Sequence, residues 1–502
     1  MNNFANVVRN NNYDNLTRTE NRGVALSSTQ SPLLDLFATV GALRGGEHLD
    51  VRSLFLSAME EDKLLATKLA FYARNIRGGL GERDTFRKLI VVLANNYPEI
   101  MRKNISLIPH FGRWDDLYVL VDTPCETDMW ELIREQLRSD MDSLNEGNSV
   151  SLLAKWLKSV NTSSAESREL GKMTAKALGL TEKAYRKLLA RLRKHIGIVE
   201  KKMSKNRWTD IEYENVPSLA MKNYMSAFYR HDEDGFRKYI DSVEKGEKEI
   251  KASTLYPYDI LMKANITHDY FGWGKNVNFE MEYNPVLEQQ WKALPNYVKG
   301  ENNVLVMADT SASMESNNGR PLATSIGLAI YFAERNKGAY KDLFLTFSER
   351  PSFVTLKGDT LKEKVENIEA IVENTNLEKA FNLILEVALE NNVPQEEMPK
   401  ALIVITDMQF DMAVEDASQT KTLHKKMKKL YEREGYQLPT VIYWNVEQRR
   451  TAFQVDKNAV NVMLISGQST STFRDILANI GRTPYDFMVE TLNNPMYDCV
   501  KV

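Results

Sequence analysis

Apolar residues recur every three to four positions from about residue 32 to 270, the spacing of helices that each bury one stripe. Leu64, Leu65, Leu69 and Tyr72 make one such stripe, and Phe86, Leu89, Ile90 and Leu93 make another. Turn signals at Arg77-Gly78-Gly79-Leu80-Gly81 and Asn96-Tyr97-Pro98 punctuate them at intervals typical of helix pairs. The pattern predicts a HEAT-like array of diverged helix pairs over residues 32–274, without a strict repeat length. Residues 1–31, rich in Asn, Thr and Ser, read as a flexible N-terminal arm. Pro285, Pro295 and Gly300 break the helical pattern, so residues 275–300 read as a linker.

Beyond residue 301 the period changes. Short continuous apolar runs at 303–308, 343–347, 401–405, 441–444 and 460–465 alternate with helical stretches at 322–335, 377–389 and 421–434. Buried strands alternating with helices predict a doubly wound, mostly parallel sheet covered on both faces, over residues 301–502. The fold class expected for the chain is therefore α followed by α/β.

Composition narrows the setting. The chain has 502 residues, 65 Lys and Arg against 68 Asp and Glu, and a formal charge of -3, so it is not a uniformly basic polymer binder. Two cysteines, Cys125 and Cys499, are too few for a disulfide framework or a thiolate zinc site. No signal-like apolar core opens the sequence and no apolar run approaches a bilayer span, so the reading is a cytoplasmic monomer without a membrane partner.

The first predicted strand of the α/β half ends in Asp309-Thr310-Ser311-Ala312-Ser313. Ligands bind at the carboxyl ends of strands in open α/β sheets, and Asp, Ser and Ser at alternating positions can point at one centre. Thr375, opening the helix at 377–389, and Asp407, directly after the strand at 401–406, join them if the topology holds. Such hard oxygen donors suit Mg²⁺ or Mn²⁺ and not zinc. The competing structural reading is a strand-to-helix turn capped by Asx and Ser hydrogen bonds.

With these five positions in place, residues from about 301 to 490 resemble a von Willebrand factor A domain. Asp309, Ser311, Ser313, Thr375 and Asp407 match its metal-ion-dependent adhesion site. The resemblance implies a metal with an open coordination position, filled by a partner's acidic group, and hence adhesion or assembly, not catalysis.

Residues 168–207 hold thirteen Lys and Arg against three Glu. On a helical wheel Tyr185, Leu188, Leu189, Leu192, Ile196 and Val199 fall on one side, and Lys183, Lys187, Arg191, Lys194, Lys201 and Lys205 fall opposite. A charge run is ordinarily a solvated face. The near absence of acids here instead fits a footprint for phosphate contact, which makes these six residues candidate RNA ligands. Trp208, Tyr213 and Tyr224 lie just beyond, where they could stack on bases or fill a core. These residues do not separate RNA from DNA.

The combination resembles the Ro ribonucleoprotein autoantigen family, whose TROVE module is a ring of helical repeats closed by an A domain. The N-terminal half is closer to a related, largely uncharacterised family of the same layout. The resembling stretches are Arg77-Gly78-Gly79-Leu80-Gly81-Glu82-Arg83, Phe111-Gly112-Arg113-Trp114-Asp115-Asp116-Leu117 and residues 208–221. The resemblance implies a toroid whose positive channel takes single-stranded RNA ends, with structured small RNA on an outer basic surface. The residues themselves read the glycine-rich stretch as a helix–helix turn, since it lacks a Gly-Lys-Ser/Thr ending, and Asp115-Asp116 as charges at a helix start.

Six histidines form no metal spacing and no triad. The expectation is a non-enzymatic RNA-binding protein. The alternatives are a metal-dependent protein–protein assembly module without RNA and, third, a metal-dependent phosphodiesterase.

Overall fold

The computed structural model describes residues 15–19, 22–43, 50–271, 274–298, 303–347, 350–372, 376–409, 422–448 and 450–502. The described residues between 32 and 261 form helices and their connections, and neighbours in sequence pack on one another: Val51–Glu61, Lys63–Arg74 and Arg83–Asn96 form the first such group. Their boundaries follow local chemistry. Asp62 caps Lys63–Arg74 by accepting from the Leu65 amide, and Pro98 occupies the first turn of Pro98–Asn104, where a missing N–H costs nothing.

The second half is built on a six-stranded sheet. Its strands are β5 (Val304–Asp309), β6 (Leu343–Phe347), β7 (Ser352–Thr355), β9 (Ala401–Thr406), β10 (Thr440–Asn445) and β11 (Val462–Ser466), in the order β11-β10-β9-β5-β6-β7. All pairs are parallel except β6 with β7. Strands β5, β9, β10 and β11 are buried throughout, which is why each reads as an unbroken apolar run. Helices followed by a mostly parallel sheet are thus as the periodicity predicts.

Three expectations change. Residues 275–300 are not a bare linker: β4 (Gly274–Glu280) pairs antiparallel with β3 (Asn265–Phe271) and with β8 (Glu369–Val372), and Pro285–Lys292 is a helix. Pro285 starts this helix instead of breaking one, with Asn284 capping the amides of Val286 and Leu287. Because β3 lies within 32–274, the first half is not helical to its end. The described part of the N-terminal arm is also ordered into β1 (Leu16–Arg18) and β2 (Val24–Leu26), and Leu26 bridges to Phe453 of the α/β half. Apolar Val24 to Leu26 drive that docking; residues 1–14 lie outside the described residues.

The two halves meet closely. The Gly41 amide donates to the Ser466 hydroxyl at 3.0 Å, and a Cβ on Gly41 would sit 2.7 Å from the Gly467 backbone, a contact only glycine permits. The C-terminal residues return to the first helices: Tyr497 packs on Tyr72 and Phe111, and Asn104 bonds both the Lys501 amide and carbonyl. Among the described residues no helix is long and apolar enough to cross a membrane.

Candidate functional site

Parallel pairing of β5 with β9 sets Ala308 beside Ile405, so the next residues, Asp309 and Thr406-Asp407, leave the same sheet edge together. Asp309 is fully buried. One of its oxygens accepts from the Ser311 amide at 2.9 Å and the other from the Thr406 hydroxyl at 2.6 Å. The Ser311 and Ser313 hydroxyls lie 3.1 Å apart, and Asp407, also buried, accepts from the Gln409 amide at 3.1 Å. Burial first, and then the neighbouring Asp407 charge, pushes the Asp309 carboxyl up to about 7.

The structure therefore brings Asp309, Ser311, Ser313 and Asp407 to one edge. Thr375 lies outside the described residues; Asn376 beside it caps helix Leu377–Glu390 by accepting from the Lys379 amide. No ion pair to a Lys, Arg or His is seen at Asp309 among the described residues, and no three His, Cys, Asp or Glu side chains there converge on one point. Two carboxylates supplemented by hydroxyls fit a hard cation such as Mg²⁺ or Mn²⁺, which keeps several waters, and do not fit a zinc site. The competing capping reading holds in part, since the Asp309–Ser311 bond is an Asx-type turn.

Past this turn the chain takes three left-handed residues, Asn317, Asn318 and Gly319, before the long helix resumes. Asn317 donates to the buried Glu447 carboxylate, and Arg320 then reaches a large cavity in the helical half. That cavity, about 1520 Å³, is bounded by segments spread from Arg74 to Met262. Arg74, Arg83, Arg113, Lys155, Arg193 and Lys201 line it, against Glu82, Asp84, Glu200 and Asp259. Trp156 stands among them with the Arg113 guanidinium 4.1 Å and the Lys155 ammonium 5.4 Å from its ring. Exposed Leu219 and Met262 add apolar surface.

Behind this wall lies an ion network. Asp116, wholly buried, accepts from Arg74 at 2.8 Å, Arg87 at 2.7 Å and the Arg113 amide at 3.0 Å, while Asp115 pairs with Arg87 and Arg113. Asp115 and Asp116 do sit at a helix start, as expected, and they also fix the guanidiniums that edge the cavity. The glycine-rich stretch is the expected turn between Lys63–Arg74 and Arg83–Asn96.

The basic stripe divides in space. Helix Glu182–Ile196 buries Tyr185, Leu189 and Leu192 and leaves Lys183, Lys187, Arg191 and Lys194 exposed, with Arg191 bonded to Asn145 at 2.8 Å. Lys205 is exposed as well. Lys201 instead bonds the Ala190 carbonyl at 3.0 Å and lines the cavity; burial, then Lys205, Lys194 and Arg193, lowers its ammonium. Of the aromatic trio, Trp208 stacks on His231 at 4.3 Å and Tyr213 is buried against Phe228 and Phe236, so both are spent in packing. Tyr224 lines the cavity and donates to Glu200 at 3.3 Å.

Arg74, Arg113, Arg320 and the adjacent Lys155 and Trp156 escape sequence reasoning because they come from four separate segments. The only local signal is the adjacency of cation and indole in Arg113-Trp114 and Lys155-Trp156.

Residues 19–129 and 127–303 match the model of a domain of unknown function, DUF2828, and residues 303–487 match a second, DUF7788. The boundary between the two models falls one residue before β5. An uncharacterized protein of Acanthamoeba polyphaga mimivirus is 26% identical over 528 residues, covering 96% of this chain and 89% of that protein.

Proposed function

We propose that this chain, which belongs to the DUF2828 family, is a non-enzymatic RNA-binding protein of the Ro type. On this reading the helical half is a TROVE-like ring and the α/β half a von Willebrand factor A-like domain that closes it. The observation that carries the reading is the cationic, tryptophan-bearing cavity lined mainly by the helical half. Arg113 and Lys155 meet the phosphates of a single-stranded RNA end, and Trp156 offers a face to a base. Lys183, Lys187, Arg191, Lys194 and Lys205 hold structured RNA on the outside, and Lys201 serves the cavity.

Asp309, Ser311, Ser313 and Asp407 are the residues that would hold Mg²⁺ or Mn²⁺. Such an ion supplies positive charge against two buried carboxylates and an open position for an acidic oxygen. The chain's own part is to fix those donors through the Thr406 and Ser311 hydrogen bonds.

Filter-binding titrations of a structured RNA and of short single-stranded RNA at several salt concentrations test the proposal. Reversing Lys187, Arg191 and Lys194 is expected to weaken binding of the structured RNA and reduce the slope of log affinity against log salt by about 2–3, at roughly 0.7–0.9 per phosphate contact. Reversing Arg113 and Lys155 should abolish binding of short oligoribonucleotides. Unchanged affinity in both variants would sink the reading. A second reading, metal-dependent gripping of a partner's acidic side chain without RNA, is favoured by the paired Ser311 and Ser313 hydroxyls beside Asp309. It expects a Mg²⁺-dependent protein complex lost in Asp309→Ala and no nucleic acid released from the purified protein by high salt.

A further inference from the structure

Helix Leu423–Arg433 carries a second cationic face, on the α/β half. Its inner side is Leu423, His424, Met427 and Tyr431, all buried. The Tyr431 hydroxyl donates to the Phe381 carbonyl at 2.8 Å, and His424 Nδ1 lies 3.2 Å from the Tyr443 hydroxyl, so the helix is pinned to the domain. Its outer side presents Lys425, Lys428 and Lys429, each exposed. Positions i, i+3 and i+4 share one face, and the three Cα atoms span about 6 Å along the axis at 1.5 Å per residue.

One acid, Glu432, shares this exposed face at i+4 from Lys428, so the face carries three cations to one anion. Arg433 pairs with Glu434 at 2.8 Å and Lys341 with Asp342 at 2.6 Å, but among the described residues Lys425, Lys428 and Lys429 meet no carboxylate. Buried His424 registers their field: its imidazole is pushed down to about 4, first by burial and then by Lys428 and Lys425. A solvated helix surface ordinarily mixes signs, as on Glu233–Glu244, where Arg237 pairs with Glu233.

We infer that Lys425, Lys428 and Lys429 form a second phosphate-backbone contact for RNA, distinct from the cavity and from helix Glu182–Ile196. The inference rests on the RNA-binding reading above and extends the footprint to the α/β half. Lysines on flexible stems act as point charges suited to phosphate oxygens, without base readout. A lipid surface fits less well, because an interfacial helix sinks an apolar face into the acyl boundary and this helix has spent its apolar residues on the core.

The test uses the full chain, a short single-stranded oligoribonucleotide sized to the cavity, and a long one. Lys425→Glu, Lys428→Glu and Lys429→Glu together are expected to weaken the long RNA at least tenfold and lower its salt slope by about 2, leaving the short RNA unchanged. The corresponding triple Gln variant, with wild-type melting temperature, should show a smaller loss of the same kind. Long-RNA affinity and slope equal to wild type in both variants overturn the inference. So does retained RNA binding together with lost binding to phosphatidylserine vesicles. A wild-type protein that binds neither RNA overturns the underlying reading as well, which separates the two failures.

Discussion

The Tyr256 hydroxyl donates to the Leu80 carbonyl oxygen at 3.1 Å, joining positions 176 residues apart. This bond ties the last part of the helical half to the turn between Lys63–Arg74 and Arg83–Asn96, and residues flanking both of its ends, Gly81 and Tyr258, line the cavity. The next residue, Gly81, has φ 69° and would place a Cβ 1.9 Å from that same Tyr256 oxygen. Gly81→Ala is therefore expected to strain the backbone and push Tyr256 away, costing about 1–3 kcal/mol in chemical denaturation. Tyr256→Phe should cost only about 1 kcal/mol, the net worth of one hydrogen bond. Equal stability of Gly81→Ala and wild type would refute the closure.

Asp116 is the hub behind the cationic wall, holding Arg74 and Arg87 with no exposure of its own side chain. Removing it leaves Arg74, itself buried, without its carboxylate. Asp116→Ala is expected to destabilise the chain by about 3–5 kcal/mol, the range for stranding one partner of a buried pair. An exposed ion pair makes the control: Arg237→Ala should change stability by less than about 1 kcal/mol, because its partner Glu233 is well solvated. A melting-temperature comparison of the two variants checks the contrast.

What the sequence made legible follows from how each feature is encoded. Strands β5, β9 and β10 are buried on both faces, so continuous runs such as Ala401 to Thr406 announce them, and the carboxylates at their ends come with them. Amphipathic Glu182–Ile196 is equally plain, since Tyr185, Leu189 and Leu192 keep one face. Arg193 shows the limit. It belongs to the same basic run, but it turns inward to the Ala154 and Leu157 carbonyls at 2.7 Å, a contact fixed by a helix dozens of residues away. The cavity is hidden for the same reason, because Arg74, Trp156 and Arg320 share no local pattern. Pro285 misleads in the other direction: as a first-turn residue it starts a helix where composition suggests a break.

His424 gives a pH signature. Its folded imidazole is pushed from 6.5 to about 4, so between those values the unfolded chain binds a proton that the folded chain refuses. Its contribution to stability is present above pH 6.5 and is lost as pH falls toward 4, by at most about 3 kcal/mol. His424→Gln removes this group, so the difference in stability between variant and wild type should shrink or reverse as pH drops from 7 to 5. A difference constant across that range would exclude a buried neutral imidazole.

Asp309 acts with the opposite sign. Its folded carboxyl is pushed from 3.8 up to about 7, so the folded chain holds a proton that the unfolded chain has released. That contribution is complete below about pH 3.8 and disappears as pH rises through 7, when a second charge appears beside Asp407. A divalent cation offsets the paired charge, and a bound ion raises stability in proportion to its affinity for the folded state. The rise in melting temperature on adding Mg²⁺ over a chelator control is thus expected to be larger at pH 8 than at pH 6, where protons compete. Asp309→Asn should abolish the rise at both values and flatten the metal-free stability profile between pH 5 and 8. Because the His424 and Asp309 slopes oppose each other in wild type, each variant must be compared with wild type at every pH. Identical melting temperatures with and without Mg²⁺ at pH 8 would leave the buried pair as a proton-sharing turn and remove the metal from the proposed function.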